Sequence, residues 1–202
     1  PQGKPSEPGP VRRFIITPES IPLPIPPTVD ILVKMPAHPR VFATPDTLNA
    51  FRARKDGPAK EAWQHLKVQA AADLNHEPPA LDLQPMPDDP GEDRGQVFYL
   101  KDGQLSLPVN YKVNDLRTDA VRAETLSFAY LITGDDRYGQ AARRWALFAS
   151  DFRLDIHLKD RGQHDTVVYC YEYGLKGVAL AFDHLYDLLT PDEREVVLRH
   201  IE

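Results

Sequence analysis

Apolar residues recur at helical spacing in the last third of the chain. Between Leu175 and Leu189 the sequence reads LKGVALAFDHLYDLL, with apolar positions three and four residues apart and further apolar side chains on the other faces. This pattern is typical of a helix that is covered on most sides. It ends at Thr190-Pro191-Asp192-Glu193, which combines an N-cap residue, a proline at the first helical position and a glutamate three residues after the cap. A second helix is therefore predicted to begin there and to form a hairpin with the first.

Earlier segments repeat this arrangement of two helices and a short turn. Thr44-Pro45-Asp46 is a helix start of the same kind, and its helix is predicted to end at Gly57-Pro58, before a second helix over residues 58–76. In the middle of the chain, apolar spacing predicts a helix over residues 119–133, and Gly134-Asp135-Asp136 supplies a stop and a new N-cap for a returning helix. The chain is therefore predicted to be all-α, built from antiparallel helical hairpins.

A proline-rich segment, residues 1–37, precedes the predicted helical body at 38–202. It holds about half of the 20 prolines of the chain. Proline fixes φ and removes a backbone donor, so an extended arm is predicted. The apolar residues Ile21, Leu23 and Ile25 stand between prolines, which favours an arm packed on the body over a free linker.

Helical periodicity is lost between residues 77 and 114, which we interpret as an insertion in the helical body. Its first part is rich in proline and acidic residues. Its second part predicts a short β-hairpin centred on Lys101-Asp102-Gly103, between VFYL and LSLPV. An insertion of this length is typical either of a disordered segment or of the rim of a binding site. The sequence does not choose between these two interpretations.

Composition and charge narrow the possible partners. The chain of 202 residues is 42% hydrophobic, which is enough for a sizeable core. Its formal net charge is −6 and its basic residues are scattered, which argues against nucleic acid as a partner. The single cysteine, Cys170, excludes an intrachain disulfide and a cysteine-based zinc site. No apolar run approaches the roughly 20 residues of a membrane-spanning helix, and prolines interrupt the first apolar cluster too often for a signal peptide.

Aromatic and ionisable residues cluster around the start of the last hairpin. His164 precedes the helix, and Tyr169 and Glu172, three residues apart, share one face of it. A tyrosine ring stacks on a pyranose and a carboxylate accepts hydrogen bonds from its hydroxyl groups, so these three residues are candidates for substrate binding. The alternative is that the tyrosine packs between helices while Glu172 pairs with Lys176 on the surface.

Asn114 and Arg117 are further candidates for substrate binding. They stand at the end of the insertion, just before the predicted helix, where their side chains would reach into a cleft. The alternative is that this stretch caps the helix through Asp115 or Thr118.

The remaining histidines, glycines and carboxylates give no sign of a metal or cofactor site. The histidines lack tight metal-ligand spacing, so no metal site is predicted. The chain has neither a glycine-rich phosphate loop nor a GxSxG motif, and no cofactor is predicted. His38 is interpreted as a structural residue at the start of the helical body, and Asp183 as a carboxylate that bonds to neighbouring helix ends or hydroxyl groups.

Three segments together resemble one family of enzymes. They read HPRVFATPDTLNAFRAR at 38–54, LSFAYLITGDDRYGQAARRW at 126–145 and GVALAFDHLYDLLTPDER at 177–194. As a set they resemble the N-terminal helical half of the heparinase II/III-like polysaccharide lyases, including relatives of the oligoalginate lyase type. The resemblance implies that the hairpins form part of an (α/α) toroid, which is usually followed by a β-sandwich region. It also implies a periplasmic or secreted protein.

The function implied by the resemblance is cleavage of uronic-acid-containing glycans by β-elimination, with an acidic polysaccharide or oligosaccharide as the partner. This reaction needs a group that neutralises the C5 carboxylate, a base and an acid. In the family an Asn-His pair and a tyrosine fill these roles. The one such pair here, Asn75-His76, lies where the family pattern does not place it. The catalytic residues are therefore unknown and expected beyond Glu202, in the remainder of a longer chain.

Two other functions stay open at this point. Stacked hairpins also build helical-repeat scaffolds that bind proteins, although the hairpins share no consensus at fixed positions, which disfavours a regular array. A glycoside hydrolase on the same toroid would need two carboxylates placed as acid and base across a cleft, and no pair in the sequence stands out.

Overall fold

The computed structural model describes residues 35–86, 97–153 and 165–201, and of residues 153, 165–171 and 173 it describes the backbone alone. The chain divides into two compact units, Pro1–Met35 and Pro36–Glu202. The predicted arm at 1–37 lies outside the described residues except for its last three. All helices and strands named below belong to the second unit.

Six helices account for most of the described part of this unit. They are α1 (Leu48–Ala53), α2 (Lys60–Asp73), α3 (Val113–Thr133), α4 (Asp136–Ser150), α5 (Asp165–Leu185) and α6 (Pro191–Ile201), with a 3₁₀ turn at Arg54–Asp56 after the first. The fold is mostly helical, as predicted. Within the described ranges, no helix is both long and apolar enough to cross a membrane.

The turn between α3 and α4 forms where the sequence predicts it. Gly134 adopts a φ of 71°, a left-handed conformation that ends a helix at little cost only for glycine. Its backbone N–H donates to the carbonyl of Tyr130 at 2.7 Å. The next residue, Asp135, caps α4 by accepting a hydrogen bond from the backbone N–H of Arg137 at 3.0 Å. Stop and start signals in adjacent residues make this turn tight.

The capping box predicted before α6 is also confirmed. The hydroxyl of Thr190 accepts a hydrogen bond from the backbone N–H of Glu193 at 3.3 Å, and the Glu193 carboxylate accepts one from the backbone N–H of Thr190 at 2.9 Å. The same carboxylate forms an ion pair with Arg143 of α4, whose Nη2 lies 2.6 Å from Oε1. The start of α6 is thus fixed to the neighbouring hairpin.

Helix α3 is the central helix of the body, packed along both α4 and α5. Its approach to α5 is close because residue 177 is glycine: a Cβ at Gly177 would lie 2.3 Å from the carbonyl oxygen of Ala120. Large side chains fill the core on either side of this contact. Those fully buried include Leu116, Leu126, Trp145, Val178, Leu185 and Val197.

Four short antiparallel strands form a sheet beside the helices. They are β1 (Leu83–Pro85), β2 (Phe98–Lys101), β3 (Gln104–Pro108) and β4 (Phe152–Arg153), in the order β1-β3-β2-β4. The predicted hairpin around Lys101-Asp102-Gly103 is confirmed as β2 and β3. Asp102 and Gly103 have φ values of 52° and 77°, the conformation that a two-residue hairpin turn requires.

The sheet limits the all-α prediction, which is confirmed only in part, because the described residues are mostly helical but include this small antiparallel sheet. The sequence shows the β2–β3 hairpin locally, but β4 joins the sheet from beyond α4, and helical periodicity gives no sign of such a distant pairing. The predicted start of α3 at residue 119 was wrong. The helix begins at Val113 because the backbone N–H of Lys112 donates to the Asp115 carboxylate at 2.8 Å, which adds two turns at this end.

Candidate functional site

A cleft of about 600 Å³ opens where the end of α2, the loop before α3, the first turns of α3 and the middle of α4 meet. This volume is within the usual range of about 300–1,000 Å³ for ligand sites. The residues that line it come from four separate segments: Asn75, His76, Glu77, Pro79, Asn110, Tyr111, Asp115, Thr118, Asp119, Arg122 and Trp145. Most of them are polar or charged. We refer to this set as the cleft.

Helix α3 contributes one face to the cleft. Asp115, Thr118, Asp119 and Arg122 are spaced three and four residues apart, so they lie along one side of the helix. An adjacent side carries apolar residues that pack into the core, such as Leu116. The cleft face of α3 is therefore its polar face, and it extends over more than two turns.

A hydrogen-bonded network forms the inner wall of the cleft. Asp119 is 3% exposed, and its carboxylate accepts a hydrogen bond from the Tyr111 hydroxyl at 2.5 Å and from Arg122 Nη1 at 2.7 Å. Arg122 Nε also donates to the buried Asp73 of α2 at 3.3 Å, and Gln69 donates to the other Asp73 oxygen at 2.9 Å. One guanidinium thus bridges two buried carboxylates and ties α2 to α3.

Burial shifts the proton affinities of this network. It raises the pKa of the Asp119 carboxyl above its ordinary value, although the hydrogen bonds from Tyr111 and Arg122 oppose the shift. Burial, together with the adjacent Asp119 carboxylate, raises the pKa of the Tyr111 phenol far above its ordinary value. Tyr111 therefore remains a protonated donor to Asp119 across the physiological range of pH.

Aromatic rings close the floor of the cleft, but they do not offer open faces. Trp145 is 1% exposed, and the Arg122 guanidinium lies 5.0 Å from its ring centroid. Tyr111 is 3% exposed and stacks on Phe152 at 4.8 Å with an interplanar angle of 18°. The indole Nε1 of Trp145 is buried and has no hydrogen-bond partner among the described residues. Recognition in the cleft thus depends on polar side chains.

The rim of the cleft is braced by contacts to neighbouring loops. Glu77 Oε2 lies 2.8 Å from Arg144 Nε of α4. Asn110 accepts a hydrogen bond from the backbone N–H of Asp82 at 2.8 Å and donates to the Ala80 carbonyl at 3.1 Å. These contacts position the chain segments on both sides of the opening.

A second polar cluster fixes the start of the helical body to α5. The Asp183 carboxylate, 3% exposed, lies 2.6 Å from His38 Nδ1 and accepts hydrogen bonds from the backbone N–H groups of Arg40 and Val41, each at 3.0 Å. The His38 ring stacks on Tyr186 at a centroid distance of 4.0 Å. We call these five residues the Asp183 cluster. It confirms the structural interpretation of His38. Asp183 is also structural, but the predicted partners were wrong, because it binds an imidazole and backbone N–H groups outside any helix and not helix ends or hydroxyl groups.

The predicted site residues fall outside the lining of the cleft or outside the described residues. Asn114 and Arg117 lie on exposed positions in the first two turns of α3, and the carbonyl of Asn114 accepts a hydrogen bond from Thr118 Oγ1 at 2.9 Å. His164 is not among the described residues. Tyr169 belongs to α5 through its backbone, and Glu172 is exposed on the same helix.

Sequence reasoning missed Tyr111, Asp119 and Arg122, which hold the network together. One signal was available, namely the spacing of the polar residues from Asp115 to Arg122. It was hidden because the helix was predicted to begin at residue 119, and so these residues were not placed on a common face. The alternative that Asp115 caps the helix is confirmed by its bond to the Lys112 N–H.

No group of side chains in the ranges 35–86, 97–153 and 165–201 is a candidate metal site. No three or more histidine, cysteine, aspartate or glutamate side chains there are grouped as a metal ion requires. Comparison with protein-family models and with curated proteins finds no match to this chain.

Proposed function

We propose that the chain is the N-terminal helical segment of a polysaccharide lyase that cleaves uronic-acid-containing glycans by β-elimination. The observation that carries the proposal is the cleft, a concave site in a helical body, lined by carboxylates, amides, a guanidinium and an imidazole. Such groups recognise the hydroxyl-rich surface of a sugar through many hydrogen bonds. The helical hairpins are proposed to form part of an (α/α) toroid.

The packing of the three family-like segments supports this proposal. Residues 38–54 contact the other two segments, since His38 meets Asp183 and both Phe42 and Phe51 place their rings edge-on to Phe128. Residues 126–145 and 177–194 are joined by the ion pair between Arg143 and Glu193. The three segments therefore form one packed unit, which favours a common structural origin for the resemblance over chance similarity of separate motifs.

The cleft is suited to binding more than to the elimination step. It contains Asn75 and His76, the residue types that the family uses, and it also contains a tyrosine. However, the Tyr111 hydroxyl donates a hydrogen bond to Asp119 and is buried, and its raised pKa keeps it protonated, so it is not available as a base. We therefore assign substrate binding to the cleft, and we place the elimination chemistry outside it, with the catalytic residues beyond Glu202.

The experiment follows the ultraviolet absorbance of the conjugated, unsaturated uronate that β-elimination creates. The 202-residue chain, and the longer protein that the resemblance implies, are each incubated with alginate, hyaluronan, chondroitin and heparan chains. The proposal predicts a rise with at least one polymer for the longer protein and none for the 202-residue chain. Release of reducing sugar without a rise would favour the glycoside hydrolase, and no reaction of either kind would favour the protein-binding scaffold.

A further inference from the structure

We infer that the cleft binds an uncharged sugar unit of the glycan and not the uronate itself. The inference rests on the proposed function only in taking the ligand to be a glycan. It follows from the balance of charges among the described residues around the cleft and from the burial of the two aromatic rings, Trp145 and Tyr111, that line it. It concerns residues of α2, α3 and α4 that the sequence did not mark as a binding site.

Carboxylates outnumber cations around the cleft. Among the residues that the structure describes, four carboxylates line it or are buried directly next to it: Asp73, Glu77, Asp115 and Asp119. Among the same described residues, the lining supplies the Arg122 guanidinium and the His76 imidazole, and the neighbouring Arg144 adds a second guanidinium. A further carboxylate brought in by a uronate would enter a region whose fixed charge is already negative, and like charges close together repel.

The one guanidinium of the lining is already engaged. Arg122 donates to Asp119 at 2.7 Å and to Asp73 at 3.3 Å, and both carboxylates are buried. His76 faces the same Asp73, with Nδ1 3.6 Å from Oδ1. Nearby Arg144 is held by Glu77 at 2.8 Å. A uronate carboxylate would have to share Arg122 with these two buried anions, whose negative charges already outweigh the single positive charge of the guanidinium.

Hydroxyl groups suit the same side chains. An ionised carboxylate accepts hydrogen bonds from neighbouring sugar hydroxyls, and an amide such as Asn75 both donates and accepts. Asn75 and His76 are exposed at the opening, where a ligand reaches them first. Because Trp145 and Tyr111 are almost fully buried, the sugar is recognised through its polar edge and not by stacking.

The test compares three soluble sugars of different charge, titrated into the 202-residue chain and followed by calorimetry. They are N,N′-diacetylchitobiose, which is uncharged, a disaccharide of mannuronate, which is anionic, and glucosamine, which is cationic. The inference predicts that the uncharged sugar binds at least about tenfold more tightly than the uronate, with little dependence on salt. Tighter binding of the uronate would overturn it, and tighter binding of glucosamine would show instead a site for a cation.

A matched pair of asparagine variants locates the binding. Asn75 is exposed, follows the end of α2 and lines the cleft, and Asn75→Ala removes its amide. Asn114 is exposed on α3 and does not line the cleft, so Asn114→Ala is the control. Asn75→Ala is expected to weaken binding of the uncharged sugar several-fold while Asn114→Ala leaves it unchanged. The reverse result would overturn the assignment to the cleft and support the sequence-based prediction for Asn114.

Failure of this inference and failure of the proposed function give different results. Production of unsaturated uronate without binding of the uncharged sugar would reject the inference and retain the lyase. Binding of the uncharged sugar in the cleft without elimination of any uronate polymer would reject the lyase and retain the inference.

Discussion

The Asp183 cluster and the cleft each contain a carboxylate that is 3% exposed, Asp183 in one and Asp119 in the other, yet the two sites differ in what surrounds them. Asp183 is surrounded by two backbone N–H groups and a histidine that aromatic rings cover. Asp119 is held by two side chains at the edge of an open cavity. The first arrangement joins segments of the fold, and the second leaves polar groups beside a space that a ligand can fill.

The residues on which the family resemblance rests also differ from the residues that line the cleft and could bind a ligand. The resembling segments supply His38 and Asp183 to the structural cluster. Of the cleft residues, only Trp145 belongs to a resembling segment, and it forms part of the buried floor. The residues on which the proposed family rests are therefore almost entirely separate from those that line the cleft.

The largest expected effect comes from removing the carboxylate of the structural cluster. Asp183→Ala leaves His38 and two backbone N–H groups without their acceptor, and breaking a buried pair of this kind costs about 3–5 kcal/mol. For a chain of this size that corresponds to a fall in melting temperature of roughly 2–4 °C per kcal/mol. Asp187→Ala, at an exposed position four residues on, is the control and should melt close to the unaltered protein.

The close contact between α3 and α5 is tested by adding a single methyl group. Gly177→Ala places its Cβ against the Ala120 carbonyl, so the helices must move apart, at an expected loss of about 2–3 kcal/mol in the free energy of unfolding. Gly174→Ala lies one turn earlier on α5, where a Cβ meets nothing within 4 Å. Chemical denaturation should show this control to be as stable as the unaltered protein or slightly more stable. Equal stability of both variants would contradict the described packing.

A pH-dependent loss of stability is expected from His184, which is buried beside the Asp183 cluster. Burial lowers the pKa of His184 from 6.5 to about 4. The unfolded chain therefore binds more protons than the folded chain in this interval, and stability falls as the pH drops from about 6.5 towards 4. Between pH 7 and pH 5 the expected loss is about 2 kcal/mol.

The His184 effect is isolated by comparison of two variants. His184→Met removes the titrating group while its ring neighbours Phe42 and Phe128 keep an apolar contact, so this part of the pH dependence should disappear. His65→Gln alters an exposed histidine of α2, and this variant should keep the full pH dependence of stability. Denaturant midpoints measured at pH 7 and pH 5 make the comparison, and an unchanged slope in His184→Met would contradict the assignment.

A smaller effect is expected from the network that forms the wall of the cleft. Tyr111→Phe removes one of the two donors to Asp119 and keeps the ring that stacks on Phe152, at an expected cost of about 1–2 kcal/mol. Asp119 remains bound to Arg122, which limits the loss. Tyr130→Phe, at a half-buried position of α3 that does not line the cleft, is the control for thermal melting. If Tyr111→Phe lost as much stability as Asp183→Ala, the cleft network would stabilise the fold as strongly as the Asp183 cluster, and the contrast drawn between the two sites would be wrong.

Local signals in the sequence predicted the hairpins because the responsible interactions lie within a few residues. Gly134 ends α3 through its own backbone conformation, and the Thr190–Glu193 box starts α6 through bonds between residues three apart. The hairpin at Asp102-Gly103 was predictable for the same reason. Such short-range features can be recognised from a single sequence.

The sheet as a whole and the cleft were not predictable in this way, because they join distant parts of the chain. Strand β4 pairs with β2 across α3 and α4. The wall of the cleft depends on Arg122 reaching Asp73, which is 49 residues away in sequence. The approach of α2 to α3 brings those groups together, and no local spacing encodes it. The early start of α3 was missed because Lys112 is not a residue type that usually marks a helix start.

Sugar binding in the cleft can be followed through the two tryptophans of the chain. Trp145 lines the cleft and Trp63 belongs to α2 away from it, so their indole N–H signals in a two-dimensional NMR spectrum report on the two regions separately. Trp63→Phe assigns the signals. If the cleft binds N,N′-diacetylchitobiose, the Trp145 signal shifts progressively to saturation as the sugar is added, while the Trp63 signal stays in place. A stationary Trp145 signal at concentrations where calorimetry shows the sugar bound would contradict binding in the cleft.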